Sequence, residues 1–135
     1  AEAMHQAIDL AGVIPDYVNT HACATPAGDL AEWKALRRVF GDRGHAVPWM
    51  SSIKGLTGHA PAAAGALDAI AANAMMEHDL LLGGAPIRAL DEAFVDAPLI
   101  EGERAARIDG FLSNTFGFGG SCAALVVRRF DEASA

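Results

Sequence analysis

Ser51-Ser52-Ile53-Lys54-Gly55-Leu56-Thr57-Gly58-His59, followed at once by an alanine-rich run over 60–78, is the stretch on which the fold turns. The run holds Ala62, Ala63, Ala64, Ala66, Ala69, Ala71, Ala72 and Ala74, and alanine is the strongest helix former. Pro61 suits a first helical turn, so the sequence predicts a helix over about 60–78. Small side chains nearly all round it imply close packing on every side. Before it, residues 46–53 carry Val47, Trp49, Met50 and Ile53 and read as a short buried strand, with Pro48 making its start irregular. Lys54 then opens a loop between strand and helix, an α/β arrangement.

Working outward, Met4, Ala7, Ile8 and Ala11 stand at helical spacing over 1–11. That helix has no cap and reads as a helix interior, which suggests a chain cut from something longer. Pro15 introduces a strand over 16–20, and a loop of small and polar residues follows over 21–28. A second helix has Asp29 early, where a carboxylate suits the positive helix end, a face marked by Leu30, Trp33, Leu36 and Phe40, and an end at Gly41. Gly83 and Gly84 break the chain, and 91–107 reads as a long acidic surface connection. Two strands, 108–115 and 122–130, flank Phe116-Gly117-Phe118-Gly119-Gly120, the best hairpin signal present. No internal repeat is visible.

Composition narrows the function classes. With 52% hydrophobic and 20% charged residues in 135, the chain has the balance of one globular domain. Its net charge of -7 and lack of a Lys/Arg cluster argue against nucleic acid as a partner. The two cysteines, Cys23 and Cys122, form no CxxC pattern, so neither a disulfide framework nor a metal site is expected, and both read as small buried residues. No apolar run reaches about 18 residues and the start lacks a basic and apolar leader. A soluble protein of the reducing cytoplasm, with no membrane partner, is the expectation.

Three loops could carry chemistry. His21 follows the strand over 16–20, and His59 closes the loop opened by Lys54. Strand-to-helix loops are where open α/β sheets put reactive groups. Either histidine alone reads as readily as a core or capping residue, and Lys54 as a solvated lysine; together they favour a site. The positive end of the alanine-rich helix and the Lys54 cation both oppose a charge on His59. A neutral imidazole can donate one N–H to a developing enolate oxygen. Asp68, flanked by Leu67 and Ala69, would need a cation or donors if buried. The Phe116–Gly120 run is a tight turn or a loop of N–H donors.

At these residues a resemblance becomes specific. The stretches 18–29 (VNTHACATPAGD), 51–59 (SSIKGLTGH) and 112–120 (LSNTFGFGG) resemble, in order and spacing, the three carboxy-terminal signature stretches of β-ketoacyl-acyl-carrier-protein synthases. The resemblance implies the thiolase-like fold, a mixed sheet packed by helices with the alanine-rich helix central, and makes residues 1–135 its carboxy-terminal half. The amino-terminal half, with its nucleophilic cysteine, would lie outside this chain, leaving the chain alone inactive for condensation.

By the same resemblance His21 and His59 would bind the malonyl thioester carbonyl and stabilise its enolate. Lys54 would be an electrostatic lysine with Asp68 as its acidic partner, and Phe118 a gate whose backbone N–H joins the oxyanion hole. Cys23 and Thr25 would sit against the pantetheine arm. The implied reaction is decarboxylative condensation in fatty acid, polyene or polyketide synthesis. No cofactor is implied beyond the phosphopantetheine of the acyl carrier protein partner, and a homodimer, or a heterodimer with a chain-length factor, is expected. This chain departs from the pattern where His21-Ala22-Cys23-Ala24-Thr25 replaces the usual His-Gly-Thr-Ser-Thr, Asp68 replaces Glu, Ile53 replaces Thr, Cys122 replaces Asn, and Ala60-Pro61-Ala62 replaces Ser-Leu-Gly. A non-catalytic partner subunit of the chain-length-factor kind is the alternative, which the retained His21, His59 and Lys54 oppose. A free-standing interaction domain is a third.

Overall fold

The computed structural model describes residues 1–130; residues 131–135 of the expected domain lie outside the described part. The chain runs α1 (Glu2–Ala11), β1 (Tyr17–Asn19), α2 (Pro26–Gly41), β2 (Trp49–Ser51), α3 (Lys54–Thr57), α4 (Ala64–Glu77), β3 (Leu80–Leu82), β4 (Glu103–Ala105), β5 (Gly110–Phe116) and β6 (Cys122–Arg128). Short 3-10 turns occupy Glu92–Phe94 and Phe118–Gly120. The main sheet has the order β2-β1-β5-β6. Strand β1 is parallel to both β2 and β5, while β6 returns antiparallel to β5.

Side chains alternate across a strand, and that alternation sorts the core into two layers. Val18 and Leu112 face one way and pack with Met4, Ile8, Trp33, Leu36, Val39, Phe40 and Met50 from α1, α2 and β2. Their neighbours Tyr17 and Phe111 face the other way, onto Ala72, Met75 and Met76 of α4 and onto Leu81, Ile100 and Ile108. The result is a mixed sheet with α1 and α2 on one face and α4 on the other, the α/β layering expected. Gly65 lets α4 approach the sheet, because a Cβ there would meet Thr115 Oγ1 at 2.8 Å.

The structure corrects several boundaries. The alanine-rich helix starts at Ala64, after a turn over 60–63 that includes Pro61, and not at 60. Residues 54–57 form a short helix instead of a loop. Packing on every side of α4 is also not observed, because Leu67 and Ile70 are 44% and 67% exposed. The strand expected over 46–53 is only Trp49–Ser51. Antiparallel β3 and β4 were not anticipated: a run of three leucines is too short to show a period, and all three β4 residues are exposed, so no apolar alternation marks it. No helix among the described residues is long and apolar enough to cross a membrane.

Candidate functional site

Because β1, β2 and β5 run parallel, their carboxyl ends open on the same edge of the sheet, the edge where such sheets place ligands. His21 follows β1, Lys54 follows β2, and Phe116 ends β5, with Gly117 and Phe118 after it. Thr20 extends the pairing, donating from its N–H to Ser51 O at 2.8 Å and from its hydroxyl to the same oxygen at 3.0 Å. This pairing brings the strand ends carrying His21 and Lys54 together.

His21 is buried, 6% exposed. Its ring centroid lies 5.4 Å from that of His59, with the planes 83° apart, and 5.3 Å from that of Phe116. Its Nδ1 is buried with no hydrogen-bond partner among the described residues. Burial first, then the nearby Lys54 and His59, hold the His21 imidazole below its usual range, while Asp68 pulls the other way. A neutral ring results near pH 7. His59 itself is exposed.

Lys54 Nζ donates to Asp68 Oδ2, and both side chains are buried. The pairing expected from Asp68's apolar flanks is thus present, and it satisfies a charge that would otherwise be costly to bury. Lys54 sits at the head of α3 and Asp68 in the second turn of α4, so the pair ties the strand-end loop to the central helix.

The other expected site residues lie further out. Phe118 is 100% exposed in the 3-10 turn whose Gly119 and Gly120 take φ of 80° and 87°; Phe116 contacts His21 instead. Cys23 is partly buried, and its Sγ lies 3.4 Å from Oγ1 of Thr25, the residue preceding α2. Cys122 is exposed at the start of β6, so neither cysteine is the buried residue expected. The swap of Asn for Cys at this exposed position has no structural explanation here.

Glu32 is the residue that the motifs did not mark. It is 4% exposed, and its Oε1 accepts the His21 backbone N–H at 2.9 Å and Asn114 Nδ2 at 2.9 Å, while Oε2 accepts the Ala22 N–H at 3.0 Å. Burial raises its carboxyl above the ordinary value against the pull of these donors. The signal was available: Glu32 stands four residues before Leu36, on the helix face that packs inward, as Asp68 stands on α4. Asn19 Oδ1 and Asn114 Oδ1 are buried with no partner among the described residues, while Asn19 Nδ2 donates to Ser113 Oγ at 3.0 Å. Among the described residues no group of three or more His, Cys, Asp or Glu converges as a metal would require.

A sheet edge that gathers two imidazoles and a buried ammonium defines a site for polarising a carbonyl. Residues 1–86 match the family described as "Beta-ketoacyl synthase, C-terminal domain", and the chain belongs to that family. It is 38% identical over 129 residues to 3-oxoacyl-[acyl-carrier-protein] synthase 1 of Haemophilus influenzae, covering 95% of this chain and 31% of the relative. It is also 38% identical to the oxytetracycline polyketide putative beta-ketoacyl synthase 1 of Streptomyces rimosus, over 94% of this chain and 30% of that protein. Among solved structures, the ishigamide ketosynthase/chain length factor overlays with TM-score 0.80 at 30% identity, covering 93% of this chain and 31% of that one. A beta-ketoacyl synthase from Burkholderia phymatum overlays with TM-score 0.76 at 35% identity, covering 96% and 32%. The thiolase-like layering expected is the fold of these neighbours, and the chain spans about a third of the length of the relatives it matches.

Proposed function

We propose that this chain supplies the decarboxylation half of a β-ketoacyl-acyl-carrier-protein synthase. The observation that carries the proposal is the His21–His59 pair, two rings 5.4 Å apart at the strand ends, close enough to direct two N–H groups at one thioester oxygen. As the malonyl carboxylate leaves as carbon dioxide, the electron pair of the broken bond moves into the thioester to form an enolate, whose oxygen the two imidazoles would stabilise. The enolate carbon then attacks an acyl thioester and expels its thiolate. The Lys54 cation, fixed by Asp68, adds positive potential near that oxygen.

Neither Cys23, whose Sγ lies against Thr25 Oγ1, nor the exposed Cys122 stands on the loop where the resemblance puts the nucleophile, so the acyl-holding nucleophile would come from protein outside this sequence. The substrate would arrive on the pantetheine of an acyl carrier protein, past Cys23 and Thr25, with Phe118 gating and donating its N–H. The names of the curated relatives support a carrier-protein substrate, and a cytosolic dimer fits the same reading. In the longer synthase, His21→Ala and His59→Ala should each abolish malonyl-carrier decarboxylation, and a normal rate in either would overturn the assigned role.

A second reading has one observation in its favour, the overlay on a ketosynthase/chain length factor. Sequencing upstream of Ala1 separates the two: a cysteine in a strand-to-helix turn supports the synthase, and glutamine or another residue without nucleophilic character supports the partner subunit.

A further inference from the structure

We propose that Glu32 is the positioning residue for His21, holding a strained turn closed so that the imidazole faces His59. The proposal rests on the role given to His21 above.

The turn after β1 is held in an unfavourable backbone form. Ala22 has φ 31° and Ala24 φ 62°, in the left-handed region where a Cβ crowds the following carbonyl oxygen. Residues stay there only when their surroundings over-determine them. Here the constraint is visible. The Glu32 carboxylate takes the N–H of His21 on one oxygen and the N–H of Ala22 on the other, at 2.9 and 3.0 Å. Gripping two successive N–H groups fixes the peptide plane between these residues, and with it the direction of the His21 Cα–Cβ bond. Among the described residues Nδ1 of the ring has no hydrogen-bond partner of its own, so the backbone carries the orientation.

The grip is anchored on a third element. Asn114, fully buried in β5, donates to Glu32 Oε1 at 2.9 Å. Two residues on, Phe116 stacks edge-on against the His21 ring. Glu32 therefore joins α2, the His21 turn and the end of β5, and both its oxygens are engaged by donors. A carboxylate so engaged is not free to take a proton from substrate, which makes its role positional.

The test uses the longer synthase. Glu32→Gln keeps the shape but turns an NH2 toward a backbone N–H. Malonyl-carrier decarboxylation should fall in kcat by about tenfold or more, as misplaced groups do, with KM nearly unchanged and acyl loading of the nucleophile at its normal rate. Ala22→Gly should raise the unfolding temperature, and in that background Glu32→Gln should lose less activity. Equal losses in loading and decarboxylation, or the same loss in both backgrounds, would overturn the clamp. If Glu32→Gln alone does not fold, folding of the Ala22→Gly, Glu32→Gln pair supports the clamp, and failure of Ala22→Gly to raise the unfolding temperature overturns it. The His21→Ala variant separates the two ideas: if it abolishes decarboxylation while Glu32→Gln keeps full rate, only the clamp falls; if it keeps the rate, the site assignment falls.

Discussion

The residues gathered around the strand ends form two tiers held in opposite ways. The inner tier, with His21, Glu32, Lys54, Asp68 and Asn114, is buried and tied by Glu32's three hydrogen bonds and the Lys54–Asp68 ion pair. The outer tier, with His59 and Phe118, is exposed. Burial strengthens each electrostatic contact and makes each unpaired group costly, so the inner tier is rigid by its own chemistry. The outer tier is exposed to solvent, which suits the thioester admission proposed for it. Perturbing the inner tier should therefore register in stability as well as in chemistry, and perturbing the outer tier in chemistry alone.

The largest effect should come from Asp68→Ala, which leaves the Lys54 ammonium buried and unpaired. Losing one partner of a buried pair costs about 3–5 kcal/mol, read as a lower urea midpoint for unfolding. Replacing both residues with apolar side chains of similar volume should recover most of that loss. Equal losses in the single and double variants would mean that the pair is not what holds α4 to the strand-end loop.

A smaller effect is expected one layer deeper. Tyr17 is fully buried, and its hydroxyl meets Ser51 Oγ at 2.7 Å, which in turn donates to Leu82 O at 2.6 Å. Tyr17→Phe removes one link and should cost about 1 kcal/mol. No measurable loss would show that this chain of hydroxyls is inert, and that buried polar contacts here need not be structural.

How much of this was visible in the sequence follows from what each residue's neighbours in the chain announce. His21 and His59 stand in loops between apolar elements, Lys54 heads the short helix that follows β2, and Asp68 stands in an apolar helix, so together their pattern marked them. The Glu32 clamp joins residues 10, 11 and 82 positions apart in the chain, and such pairings exist only once the sheet has formed. The exposed face of α4 was misread for a related reason: alanine spacing reports helix propensity but not which side has a neighbour. Strand β4 stayed hidden because its exposed residues carry no apolar alternation.

A pH series probes the buried histidine. Burial, with Lys54 and His59, depresses the His21 imidazole in the folded chain below its ordinary value of 6.5. Below about pH 6.5 the unfolded chain thus takes up a proton that folded His21 refuses, and stability falls as pH falls through that window. The raised carboxyls of Glu32 and Asp29 act in the opposite sense at lower pH. The informative quantity is therefore the difference between parent and His21→Asn. The variant should lose less stability between pH 7 and 5.5, and identical pH slopes would place His21 in solvent-like surroundings.

The smallest effect on stability should come from Phe118→Ala. A ring that is 100% exposed has no burial to lose, so the change should stay within about 0.5 kcal/mol. Phe116 is the internal control. It is half-buried, packs against the α1–α2 side of the core and touches His21, so Phe116→Ala should lower the unfolding midpoint while Phe118→Ala leaves it in place. If the proposed function holds, the order should reverse for substrate admission in a longer synthase, with Phe118→Ala changing acyl transfer without changing the fold. A loss of stability at Phe118 matching that at Phe116 would erase the distinction between the tiers, because it would show the outer turn to be part of the same rigid frame.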